Sequence, residues 1–169
     1  MILNENKNFY YLIMCGIAGY IGKFPPSPDN LNQTSKILNH RGPDGKGFYN
    51  HKHHENNITL IHRRLSIIDL DERSNQPFLY NSTVLIFNGE IYNYLEVRKN
   101  LEGLGHNFKT KGDTEVLSHA LCQWGSNALD KLEGMWAFAW YNEKDGSLIL
   151  SRDRFAEKPL YFWKKNKGI

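Results

Sequence analysis

The chain has 169 residues, with 21 Lys and Arg against 18 Asp and Glu for a net charge of +3, enough length for one ordinary core and too little for two generous ones. The surplus gathers in Lys158, Lys164, Lys165 and Lys167, a charged tail and not the basic stripe of a nucleic-acid binder, so no nucleic-acid partner is expected. Two cysteines, Cys15 and Cys122, argue against a disulfide-stapled secreted domain and favour the cytoplasm. The apolar run Phe9 to Cys15 falls far short of the roughly 20 residues of a membrane span, and MILNENKN lacks the positive region of a secretory signal.

In chain order, residues 1 to 9 are Asn-rich and patternless, and GIAGYIG reads as a short strand whose small residues permit close backbone approach. KFPPSPDN is a loop, and Asp29 is expected to cap a helix running through Leu31, Ile37 and Leu38 to the Gly42-Pro43 break. Strands follow near 45–52, 58–68 and 83–93, rich in β-branched and aromatic residues. Two helices come next. YLEVRKNLEGLG sets Leu95, Arg98 and Leu101 at helical spacing, and DTEVLSHALCQWG, opened by Asp113 with Glu115 in its first turn, has an apolar face of Val116, Leu117, Ala120, Leu121 and Trp124. GMWAFAWY and SLILSRDR then read as strands joined by the turn NEKDG, and KPLYFWKK as a last strand. Two batches of strands with helices between them predict an α+β domain of antiparallel sheets covered by helices.

Cys15 carries the chemical question. A thiol has a reference pKa near 8.5 and needs a base or a positive neighbour to react at neutral pH; no histidine stands close in sequence. An α-amino group, with a pKa of about 7.7 to 8.0, would serve if Cys15 were the first residue of the mature chain, and Met14 before it is a natural initiator for removal. The alternative is a buried structural cysteine. Asn88-Gly89 reads equally as a hairpin turn, and Asp113 as a plain helix cap. HKHHE (51–55) lies in a strand-to-loop region with no second cluster and reads as a solvated turn, so no metal is expected. GPDGKG lacks the ending of a phosphate loop, and Cys122 reads as core.

Six blocks in order, MCGIAGYIG, HRGPDG (40–45), HRRLSIID (62–69), FNGEIYN (87–93), GDTEV (112–116) and SRDRF with KPLYF (151–162), resemble the glutaminase domain of glutamine-dependent asparagine synthetases. This is a class II amidotransferase family with the N-terminal nucleophile fold, an αββα sandwich of two antiparallel sheets. The resemblance covers 14 to about 165. It implies a domain over 14–169, shortened at its end, behind a leader of residues 1–13 that is no part of the mature domain.

The resemblance further implies glutamine as substrate, Cys15 as nucleophile, and Asn88 with the Gly89 N–H as the oxyanion hole. Arg64 would grip the glutamine carboxylate as a planar fork, the backbone of Leu65, Ser66, Ile67 and Ile68 would line the pocket, and Asp113 with Glu90 beside it would hold the ammonium group. No cofactor is expected on this chain; ATP and Mg belong to the family's synthetase domain, which would accept the ammonia and amidate aspartate or a similar acceptor. A homo-oligomer is possible. Two rival expectations stand beside this one: a stand-alone glutaminase subunit feeding a separate synthetase, and a silent glutamine-binding module in which residues 1–13 deny Cys15 its base. The family's usual glycine after SRDRF is Ala156 here, a cost if that backbone needs a positive φ.

Overall fold

A computed structural model describes residues 15–65 and 75–164. Strands β1 (Gly16–Gly22), β2 (Gly45–His53) and β3 (Asn56–Arg64) form an antiparallel sheet in the order β1-β3-β2. A second antiparallel sheet runs β4-β5-β6-β7, built from β4 (Phe78–Tyr80), β5 (Thr83–Ile91), β6 (Gly134–Asn142) and β7 (Leu148–Arg152). The helices are α1 (Pro28–Ile37), α2 (Tyr94–Gly103) and α3 (Asp113–Trp124).

Alternation along the strands sorts the core into layers, because successive side chains point to opposite faces. Ile58 and Leu60 meet Val84, Ile86, Ala139 and Tyr141 between the sheets, with Ile17 and Tyr49 at the margin. The odd positions of β5, Leu85 and Phe87, point the other way and pack with Trp136, Phe138 and Trp140 against Val97 and Leu101 of α2 and Val116, Leu117, Ala120 and Leu121 of α3. Each such aliphatic or aromatic side chain, fully buried, contributes about 1.5–3 kcal/mol. On the far side α1 lies against β3, and the 3-10 turn Leu38–His40 after it comes within 3.2 Å of where a Cβ on Gly16 would stand. The result is the expected αββα sandwich. No helix among the described residues is long and apolar enough to cross a membrane.

Several local expectations are corrected. The first helix is capped by Ser27, whose hydroxyl accepts the Asn30 N–H at 3.2 Å, with Pro28 opening the helix; Asp29 lies inside the first turn. The strand expected to reach residue 68 ends at Arg64 and Leu65 is irregular, while 66–68 lie outside the described residues. Leu95 is exposed, and α2 buries Val97 together with Leu101. Residues 158–164 form no strand, since no other described strand pairs with their N–H and C=O groups; Tyr161, Phe162 and Trp163 are exposed there. β4 and the 3-10 segment Gly125–Lys131 were not expected from the sequence. The NEKDG turn holds, with the Gly146 N–H on the Asn142 carbonyl at 2.9 Å.

The segment after β7 is folded around one carboxylate. Asp153 accepts the N–H groups of Trp136, Phe155, Glu157 and Lys158 at 2.9–3.2 Å. Burial alone would raise its pKa, but these bonds to the charged form outweigh it and hold the carboxyl below its usual range. Inside this turn Ala156 sits at φ +57, a left-handed conformation that costs a residue with a Cβ. Ala156→Gly is therefore expected to stabilise the fold by up to about 1 kcal/mol, read as a raised midpoint in urea unfolding.

Candidate active site

Three side chains predicted from separate blocks converge through strand geometry. β1 pairs with β3 in a register that sets Gly16 opposite Arg63 and Ile17 opposite His62, so Cys15, one residue before the strand, reaches the end of β3. There the Leu65 N–H donates to Cys15 Sγ at 3.3 Å, and Sγ lies 3.7 Å from the Leu65 carbonyl. Alternation places Cys15 with Ile17, and Arg64 with His62, on the face turned toward the second sheet. Asn88 follows Val84 and Ile86 on the facing side of β5 and is buried, its carboxamide oxygen without a hydrogen-bond partner among the described residues. Asn88-Gly89 is mid-strand and no hairpin turn, paired with Ala137 and Trp136. A Cβ at Gly89 would stand 2.1 Å from the Met135 carbonyl and 2.7 Å from the Trp136 Cα, so this position requires glycine.

Arg64 is buried and its Nη1 donates to Asn75 Oδ1 at 2.6 Å. Its charge favours the Cys15 thiolate, as do the Leu65 and Cys15 N–H groups, but burial is the largest influence and holds the thiol above its ordinary range. The surroundings therefore favour the protonated thiol over the thiolate.

Asp113 is not the helix cap; that place belongs to Gly112, and Asp113 is the first residue of α3. Its Oδ2 accepts the Ile91 N–H at 3.0 Å, where β5 ends. Burial raises its pKa to about 6, the half-buried Glu90 adds to the rise, and the Ile91 N–H opposes it. The two carboxylates repel each other, so a neighbouring positive charge would favour the ionised form of both. The Asp113 charge also reaches Cys15, on which it acts against ionisation. Of the predicted pocket residues, Ser66, Ile67 and Ile68 lie outside the described residues. HKHHE lies at the β2–β3 turn, and no group of metal-ligating side chains occurs among the described residues. Cys122 packs at the edge of the helix-covered core.

The sequence did not mark Asn75 or Gln76. They stand in the polar stretch SNQPF, which reads as loop, and only the folded chain brings them beside Arg64 and Phe87. His62 was read only as part of its block. Its ring is 1 % exposed, and burial lowers its pKa to about 3. The Phe87 carbonyl is near enough to favour the protonated form, yet neither ring nitrogen has a hydrogen-bond partner among the described residues. His62 is neutral at any physiological pH.

A sandwich that brings a cysteine, an arginine, an asparagine-glycine pair and a buried aspartate to one end defines a class, and the chain belongs to the glutamine amidotransferase domain family, whose pattern matches residues 14–169. Among known proteins it is 40% identical over 163 residues to asparagine synthetase [glutamine-hydrolyzing] 1 of Bacillus subtilis, covering 92% of this chain and 25% of that protein. It is 36% identical over 177 residues to putative asparagine synthetase [glutamine-hydrolyzing] 2 of Methanocaldococcus jannaschii, covering 92% and 33%. A solved structure, the glutamine phosphoribosylpyrophosphate amidotransferase of B. subtilis with ADP and GMP, aligns over 56% of this chain and 23% of its own at a TM-score of 0.47 and 28% identity. The chain thus spans between a quarter and a third of the curated relatives named here.

The buried Asp113 carboxylate yields a prediction of sign as well as size. A carboxyl whose pKa is raised on folding contributes stability only in its protonated form, and that contribution is lost as pH rises from about 4 through about 6. At pH 8, Asp113→Asn, which keeps an acceptor for Ile91, should therefore stabilise the fold by about 2–3 kcal/mol, with the gain shrinking toward pH 4. Equal unfolding midpoints of the two proteins at pH 8 would contradict it.

Proposed function

We propose that this chain releases ammonia from glutamine through a γ-glutamyl thioester on Cys15. The observation that carries the reading is the meeting of Cys15 with the Leu65 N–H at 3.3 Å at the same end of the sandwich as Arg64 and Asp113, whose charges both act on the thiol. Glutamine presents a carboxylate, an ammonium group and a γ-carboxamide. Arg64 binds the first, Asp113 with Glu90 binds the second, and the third falls to Cys15 and Asn88-Gly89.

In the reaction, the Cys15 thiol gives its proton to a free α-amine of the same residue and the sulfur attacks the γ-carbonyl carbon. The Asn88 amide and the Gly89 N–H stabilise the resulting oxyanion; one such donor is worth roughly a hundredfold or more in rate. The C–N bond breaks as the α-ammonium returns the proton, ammonia leaves, and water then cleaves the thioester to glutamate and the free thiol. The raised thiol pKa makes the amine indispensable. This requires that residues 1–14 be removed in the active form.

The ammonia passes to a synthetase portion, as a further domain or a separate subunit, which uses ATP and Mg to amidate aspartate or a related carboxylate. The likeness to proteins named asparagine synthetase supports that acceptor chemistry.

Two outcomes test the reading. Cys15→Ala should abolish glutamate release while leaving glutamine binding measurable by calorimetry, and the intact mass of the chain made from its own gene should correspond to a start at Cys15; a start at Met1 with no glutamine hydrolysis would establish a silent binding module. Arg64→Lys should weaken glutamine binding at least several-fold, because a point charge replaces a fork. Unchanged affinity would mean that the carboxylate is held elsewhere.

A further inference from the structure

Gln76 touches none of the groups assigned to glutamine, yet it joins two walls of the site. Its Oε1 accepts the Phe87 N–H at 2.5 Å, and its Nε2 donates to Thr114 Oγ1 at 3.3 Å. Phe87 directly precedes Asn88, and Thr114 directly follows Asp113. β4 begins at Phe78, opposite Leu85, and Gln76 lies two residues before it, joined to Pro77 by a cis peptide bond. Pro77 can donate no hydrogen bond, and the Phe87 N–H is met by the Gln76 side-chain carbonyl. Without it the Phe87 N–H would be a buried, unpaired donor.

Gln76 is itself held from the first sheet. A Cβ on Gly47 would lie 1.9 Å from the Gln76 carbonyl oxygen and 2.7 Å from Pro77 Cδ, so the main chain at 76–77 is seated directly on β2. Gly47 pairs with His62, two residues before Arg64. One buried residue thus meets the sheet bearing Cys15 and Arg64, the strand bearing Asn88, and the helix bearing Asp113.

The geometry points to Gln76 as a positioning residue of the glutaminase reaction, fixing the Asn88-Gly89 donors relative to the Cys15 and Asp113 walls. The inference rests on the function proposed above. A donor pair must sit where the oxyanion will form, and a displacement near 1 Å costs on the order of a hundredfold. The loss should therefore appear in kcat, with KM little changed.

The test compares wild type, Gln76→Met, Gln76→Glu and Thr114→Val in the chain that begins at Cys15. Gln76→Met removes both polar atoms at similar length and should lower kcat for glutamine about tenfold or more, while alkylation of Cys15 by iodoacetamide, which needs no oxyanion hole, stays near the wild-type rate. Gln76→Glu keeps an acceptor for Phe87 and should recover most of kcat. Folded Gln76→Met with kcat within about twofold of wild type overturns the assignment. If Gln76→Met does not fold, Thr114→Val decides: it keeps the Phe87 bond and cuts the link to α3, so a lowered kcat supports the role and an unchanged one overturns it. Should wild type itself release no glutamate, the glutaminase reading fails. The positioning role is then judged by the side-chain amide resonances of Asn88, expected to shift in Thr114→Val; unshifted resonances overturn it.

Discussion

The site depends on the register between β1 and β3. Gly16 opposite Arg63 brings Cys15 to the Leu65 N–H and sets the thiol on the same face as Arg64. A slip of one residue would turn every side chain of β1 to the opposite face, sending Cys15 toward α1 and away from β5. The register is held by apolar burial, since Ile17 joins the layer between the sheets and Ile58 and Leu60 form its centre. The same packing that stabilises the sandwich therefore places the Cys15 thiol.

Toward the site end the layer between the sheets changes character. Where Ile58, Leu60, Val84 and Ile86 meet, it is an ordinary apolar core; beyond them come His62, Arg64 and Asn88, all buried. Such groups cost free energy unless they are bonded, and here Asn88 and His62 keep atoms without partners among the described residues while Asp113 is held ionised only with difficulty. A cation beside Asp113 would offset part of that cost. The fold tolerates the cost because the apolar layers on both sides are continuous.

Burial pushes two ionisable groups of this fold toward their neutral forms, with opposite outcomes. Burial outweighs the helpful Leu65 N–H and the Arg64 charge, so Cys15 within a longer chain is a weak nucleophile. Asp153 shows the opposite arrangement, where four N–H groups overcome burial and keep a carboxylate charged for a purely structural purpose.

Strand alternation, helix faces and the order of six short blocks are local properties of the chain, and they determined the α+β class, the apolar faces of α3 and β6, and the choice of Cys15, Arg64, Asn88, Gly89 and Asp113 as residues to watch. Other features were set only by tertiary contact. Asp113 reads as a cap from its neighbours in sequence, but packing of α3 on β5 turns it to the Ile91 N–H. Asn88-Gly89 reads as a turn, but pairing with β6 keeps it extended. KPLYFWKK reads as a strand, yet a strand needs a neighbour for its backbone groups and none pairs with it among the described residues. Gln76 carries no local signal at all. Its two partners lie 11 and 38 residues away, and a hydrogen bond over such separations exists only once the sheets and α3 have closed around it.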